Sequence, residues 1–246
     1  TPRAAASYAW VTSFTGAMCA WGVMRQVPRK DPVLFRRHTR TWARGVLRGI
    51  GVEVCAFGSW RLDPAGTYVL MSNHQSHVDV PTLFVALPMV PGFLAKAELR
   101  DVPLFGRAME VGGHVFVDRA RHEAARHAIA AAAKDVRHGG SIVVFPEGTR
   151  SRRREVLPFK KGGFHLARQA AVPIVPVGVR GTAEVLPPLS SVIRPGTVEV
   201  HVGDPIPAQR VVERPLDALI GEVRQAIRAL AALPAAADRS HAASPR

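Results

Sequence analysis

TYVLMSNHQSHVDVPTLFVAL, residues 67–87, is the stretch on which the fold turns. A short run of β character (TYVLMS) passes through a polar loop (NHQSHVD) into an apolar helical stretch (DVPTLFVAL) with Asp79 in its first turn. Strand, loop and helix in that order form the repeating unit of α/β architectures. His74 then falls in the loop at the end of a buried strand, where α/β folds place their chemistry.

The alternation continues along the chain. VEVCAF (52–57), HVFV (114–117), SIVVF (141–145), PIVPVGV (173–179) and TVEVHV (197–202) are predicted strands. HEAARHAIAAAAKDVRH (122–138) and PLDALIGEVRQAIRALAAL (215–233) are predicted helices. The expected fold class is α/β, a mixed central sheet flanked by helices. With 246 residues, 47% of them apolar, the chain is long enough for one such domain, placed at 51–233.

Residues 1–50 read differently. Ala4 to Met24 carry no charge, and as a helix they reach about 31 Å, close to the hydrocarbon thickness of a bilayer. Their richness in Ala, Gly, Ser and Thr keeps two other readings open, a helix lying in the membrane interface and one packed on the domain. A secretory signal is the least favoured, because Arg3 alone makes a thin basic region and no small-residue cleavage site follows. From residue 31 to 50 an amphipathic helix is predicted, with Arg36, Arg40, Arg44 and Arg48 recurring every four residues opposite Phe35, Trp42, Val46 and Ile50. The expectation is an N-terminal membrane-contact region, with a tail at 234–246 that lacks periodicity and is predicted to be disordered.

The net charge of +14 points to polyanionic partners. No nucleic-acid reading motif accompanies it and few aromatic residues interleave with the basic ones, so an anionic membrane surface or a phosphorylated substrate fits better. Two cysteines, Cys19 and Cys55, supply neither a disulfide framework nor a zinc-finger spacing, and a reducing cytoplasm fits them.

An imidazole acting as a base near neutral pH needs its second nitrogen held by an acceptor, and His74 with Asp79 supplies such a pair. No GxSxG occurs and neither cysteine lies near the loop, so the nucleophile is assigned to the substrate. Metal binding by His74, His77 and Asp79 is the weaker reading, because the spacing matches no HExxH-type motif. A purely capping role for Asn73 and Asp79 is the other bland reading. It loses ground because polar clusters recur at other strand ends. FPEGTR (145–150) follows SIVVF and offers Arg150 and backbone N–H groups to an anion, Lys160 and Lys161 precede two glycines at a helix start, VFVDR ends in Arg119, and KAELRDVPLFG carries Lys96.

Taken in order, NHQSHVD, KAELRDVPLFG, GGHVFVDR, FPEGTRS and VPIVPVGVRGT resemble the blocks of the 1-acylglycerol-3-phosphate acyltransferase (PlsC-like) family of glycerolipid acyltransferases, over residues 68–182. The resemblance implies that His74 is the catalytic base and Asp79 its partner. It implies that Glu147, Gly148, Thr149 and Arg150 belong to the acceptor site, with Lys96 and Arg119 as cationic helpers. It further implies acyl-CoA or acyl-carrier protein as donor, a lysophospholipid as acceptor, no cofactor and no metal. Arg25, Arg29, Lys30 and the following arginines outweigh Arg3, so the expected place of the catalytic domain is the cytoplasmic face of a membrane. The competing expectations are a same-fold enzyme with another lysolipid or glycerol-phosphate acceptor, and a noncatalytic basic membrane-binding protein.

Overall fold

A computed structural model of the chain describes residues 2–26, 32–118, 120–152 and 155–232. Two helices come first, α1 (Pro2–Gln26) and α2 (Pro32–Gly49), followed by strand β1 (Val52–Phe57). The central part runs β2 (Val69–Ser72), α3 (Asp79–Ala86), β3 (Gly92–Lys96), α4 (Phe105–Val111), β4 (Val115–Val117), α5 (His122–Arg137) and β5 (Ile142–Val144). The C-terminal part runs α6 (Gly162–Ala170), β6 (Ile174–Arg180), α7 (Thr182–Val185), β7 (Gly196–Val202), α8 (Ala208–Glu213) and α9 (Leu216–Ala231).

The strands form one seven-stranded sheet in the order β1-β7-β6-β2-β5-β3-β4. All neighbours are parallel except β6 and β7, where Val179 faces Val200 in an antiparallel pair. The mixed sheet expected from sequence is therefore present, with β2 in its centre between β5 and β6. Burial on both faces explains why TYVLMS is apolar without alternation. Leu70 packs into a core with Ala43 and Leu47 of α2 and Leu83 and Phe84 of α3. Val69 and Met71 point the other way, into a core with Phe164 of α6 and Leu219, Val223 and Ile227 of α9. Each such side chain, removed from water, contributes about 1.5–3 kcal/mol. On that second face Gly178 lets α9 ride directly on β6, since a Cβ there would lie 2.5 Å from the backbone of Leu230 and Ala231.

The strand GFLAK of β3 escaped the sequence reading, as did the short helices α4, α7 and α8. Gly92 opens β3 one residue after Pro91, so its local signal is that of a turn. Pairing with β4 and β5 imposes the extended form.

The N-terminal region forms two helices as expected, but the spanning reading of residues 4–24 fails. No helix among the described residues is long and apolar enough to cross a membrane. Instead α1 packs on α2 through ring-over-glycine contacts. Trp10 and Phe14 lie one helical turn apart and cover Gly49 and Gly45, where a Cβ would overlap the rings. The Trp10 indole donates to the Gly45 carbonyl (3.2 Å), and the Trp42 indole donates to Thr15 Oγ1 (3.1 Å). Tyr8, Trp10, Trp21 and Met24 still expose apolar surface on α1. Residues 234–246, expected to form a disordered tail, and Arg119 lie outside the described residues.

Candidate active site

The C-terminal ends of β2, β5 and β6 lie side by side, because β2 pairs in parallel with both neighbours. The loops NHQSHVD and FPEGTR therefore leave the sheet next to each other. Asn73, almost fully buried, prolongs the β2–β6 ladder with its side chain. Its Nδ2 donates to the Val179 carbonyl and its Oδ1 accepts from the Val179 N–H, both at 2.8 Å.

His74 is fixed on every side. Its backbone N–H donates to Glu147 Oε1 (2.8 Å), and its carbonyl accepts from the Ser151 N–H (2.8 Å). Its ring stacks on Phe145, with centroids 3.9 Å apart and planes 14° from parallel. Its Nδ1 lies 2.7 Å from Asp79 Oδ2. The imidazole is 18% exposed, whereas the Asp79 side chain is sealed at 0%.

The same Asp79 oxygen accepts from the backbone N–H groups of Gln75 (2.8 Å) and Ser76 (2.9 Å). This geometry accounts for the spacing of five. The chain turns between 74 and 79 so that a carboxylate in the first turn of α3 reaches back to the loop that precedes it. Three donors converging on one oxygen set the carboxylate, and the carboxylate sets the ring. With the Nδ1 proton held toward Asp79, Nε2 is the ring nitrogen left to accept a proton. Ser76 anchors the loop from below by donating its hydroxyl to the Leu186 carbonyl (2.8 Å).

Glu147 is buried against the His74 loop. It is 3% exposed, and its two oxygens each accept a backbone N–H, from His74 (2.8 Å) and from Leu157 (2.9 Å). Burial raises its pKa above the usual carboxylate value, and the two N–H bonds and nearby His74 oppose that rise. Gly148, at φ 73°, turns the chain with the Lys160 side chain alongside it. Thr149 is exposed and Arg150 partly so. Burial, followed by the charges of Arg150 and His74, lowers the His77 pKa, while Asp79 acts in the opposite sense.

Of the other predicted cations, Lys160 sits at this loop, while Lys161 turns away to pair with Asp217 (3.0 Å). Lys96 ends β3, two strands from β2, and pairs with Glu98 at 2.5 Å. Phe145 has no assigned role in the sequence reading, and Asn73 is weighed there only as a turn cap. Their positions directly before PEGTR and HQSHVD are the signal that could have found them. Among the described residues, no three His, Cys, Asp or Glu side chains converge as a metal site.

A protein-family model described as Acyltransferase matches residues 55–180, slightly more than half of the chain. The chain belongs to this acyltransferase family. It is 34% identical over 178 residues to the 1-acyl-sn-glycerol-3-phosphate acyltransferase of Saccharomyces cerevisiae, covering 71% of this chain and 58% of that protein. To the 1-acyl-sn-glycerol-3-phosphate acyltransferase alpha of Homo sapiens it is 36% identical over 188 residues, covering 74% and 64%. The chain thus spans about three fifths of the length of these curated relatives. The crystal structure of the 1-acyl-sn-glycerophosphate (LPA) acyltransferase PlsC from Thermotoga maritima shares the fold of this chain, with a TM-score of 0.78 at 23% identity, covering 99% of this chain and 96% of that one.

Proposed function

We propose that this acyltransferase moves a fatty acyl group from an acyl thioester, of CoA or of acyl-carrier protein, to the free hydroxyl of 1-acylglycerol 3-phosphate. The observation that carries the proposal is the His74–Asp79 pair at 2.7 Å with the imidazole as the exposed member. His74 Nε2 takes the hydroxyl proton as that oxygen attacks the thioester carbonyl carbon. The tetrahedral intermediate then collapses, the C–S bond breaks, and the thiolate takes the proton from the imidazolium. Atoms balance without a covalent acyl-enzyme. Asp79 holds the Nδ1 tautomer and stabilises the charged ring.

Arg150 is assigned to the acceptor phosphate, because a guanidinium makes paired, charge-assisted bonds to phosphate oxygens. Gly148 and Thr149 shape the turn that presents it, with Lys160 beside them. Lys96 and, by sequence alone, Arg119 are more distant helpers. Glu147 is assigned to bracing the His74 loop rather than to substrate. Work at an anionic membrane surface, with the domain on the cytoplasmic side, is supported by the net charge of +14 and by the exposed aromatic residues of α1.

The test is thiol release from an acyl thioester over a panel of lysolipid and glycerol-phosphate acceptors. His74→Ala is expected to lower turnover by 10²- to 10⁴-fold with the fold intact. Asp79→Asn should lower turnover while acceptor still binds. Near-normal turnover in folded His74→Ala would sink the mechanism, and preference for another acceptor would reassign the substrate.

A further inference from the structure

The basic stripe read from sequence does not act as one surface in the folded chain. Arg36, Arg40 and Arg44 are joined by Arg37, and together these four line a cleft of about 510 Å³ whose other wall includes Pro64 and Pro88. Arg48 is not among its lining residues. No carboxylate lines the cleft, and none of the four arginines makes an ion pair among the described residues.

Arg40 is fixed in place. Its guanidinium donates to the carbonyls of Leu87 (3.0 Å) and Pro88 (2.5 Å) at the C-terminal end of α3, where a cation also complements the helix dipole. Burial, followed by the like charges of Arg44 and Arg36, presses Arg40 below the ordinary guanidinium pKa. Among the described residues, positive charge is therefore concentrated here without a paired carboxylate, an arrangement that a bound anion relieves.

The location separates this cleft from the His74 site. Asp79 begins α3 at the catalytic edge, and Leu87 and Pro88 follow its last turn, about 12 Å further along the helix axis at 1.5 Å per residue. Pro64 and Pro88 lead into the starts of β2 and β3, so the cleft lies at the N-terminal end of these parallel strands, opposite the end that carries His74.

We propose that the Arg36–Arg37–Arg40–Arg44 cleft is a second anion site that binds a phosphate group, distinct from the one that receives the reacting acceptor. Guanidinium groups on successive turns of one helix, facing a rigid proline wall, suit a phosphate ester better than a carboxylate, because they can surround several oxygens at once. Such a group has two sources here, the headgroup of an anionic phospholipid in the bilayer or the nucleotide end of a free CoA carrier.

The experiment measures binding, so it stands apart from the acyl-transfer reading, and the His74→Ala protein should bind as the unaltered chain does. Arg36→Gln/Arg37→Gln/Arg44→Gln is compared with the unaltered protein, leaving Arg40 to hold α3. A control, Arg126→Gln/Lys134→Gln/Arg228→Gln, removes the same charge from exposed positions on α5 and α9. The probes are phosphatidylcholine vesicles with or without phosphatidylglycerol, by sedimentation, and free coenzyme A, by calorimetry. At about fivefold per guanidinium near an anionic surface, the cleft variant should lose on the order of 100-fold in affinity for one probe, with the control losing far less. A response to vesicles identifies the headgroup, and a response to coenzyme A identifies the nucleotide. Equal losses in the two triple variants, or no loss for either probe, would overturn the site.

Discussion

Glu147→Gln separates a bracing role from a substrate-binding one. The carboxylate is 3% exposed, and its two oxygens accept one N–H each, from His74 at 2.8 Å and Leu157 at 2.9 Å. Glutamine is nearly isosteric but has one acceptor oxygen and one donor NH₂, so one of the two backbone N–H groups must face a donor. Losing a charge-assisted bond costs about 1.5–3 kcal/mol, and the stranded N–H adds to it. Relief of the buried charge, whose cost appears in the raised Glu147 pKa, offsets part of this. A net destabilisation of about 2–4 kcal/mol remains. For a chain of this size that corresponds to a melting temperature lower by roughly 5–15 °C, readable by calorimetry. Because His74 hangs from the broken bond, thiol release should show a fall in kcat larger than any rise in acceptor KM. A variant with unchanged melting temperature and a raised acceptor KM would refute the brace and return Glu147 to the phosphate site.

Arg150→Gln is expected to raise acceptor KM by about 10- to 100-fold, the value of charge-assisted bonds to phosphate, with donor KM unchanged in steady-state assays. Gly49→Leu should push Trp10 off α2 at a cost of about 1–3 kcal/mol, and tryptic cleavage after Arg25 should accelerate. His114, whose Nδ1 accepts the Phe93 N–H at 3.1 Å, has a pKa lowered by burial to about 4, so the folded protein keeps it neutral. Its stabilisation is full above its unfolded value of 6.5 and is lost as pH falls toward 4. Urea titrations should show about 2 kcal/mol less stability at pH 5 than at pH 7.5 from this residue. His114→Gln should abolish that share of the acid sensitivity, and an unchanged pH slope would contradict it.

The sheet was legible wherever a strand was buried on both faces, as in TYVLMS, SIVVF and PIVPVGV, because solvent exclusion leaves a continuous apolar run in the sequence. GFLAK was not legible, since proline and glycine precede it and its extended form comes from pairing with β4 and β5. In the site, the pairing of His74 with Asp79 could be anticipated from spacing, because a loop followed by one helical turn brings those positions together. The partners of Glu147 could not. A buried acid whose oxygens meet backbone N–H groups on two separate segments leaves no mark in its own neighbourhood of the chain.

The charge and the apolar N terminus follow the same rule, that residue type is visible in sequence while its partner is not. Residues 4–24 read as a candidate span because they lack charge, yet α1 packs on α2 with Trp10 and Phe14 seated on glycines, while Tyr8, Trp21 and Met24 keep apolar surface exposed. The lysines read together before α6 part company, Lys161 to Asp217 and Lys160 to the Gly148 turn. The arginines of α2 read as one stripe, but the turn after α3 selects some of them by offering two carbonyls to Arg40. A net charge of +14 is thus less informative than its distribution. Among the described residues, cations without an ion pair gather on one side where the His74 loop opens, and on the other where β2 and β3 begin. Under the two proposals made above, that separation lets the α2 cleft hold one phosphate while the acceptor, gripped by its own phosphate at Arg150, presents its hydroxyl for acylation.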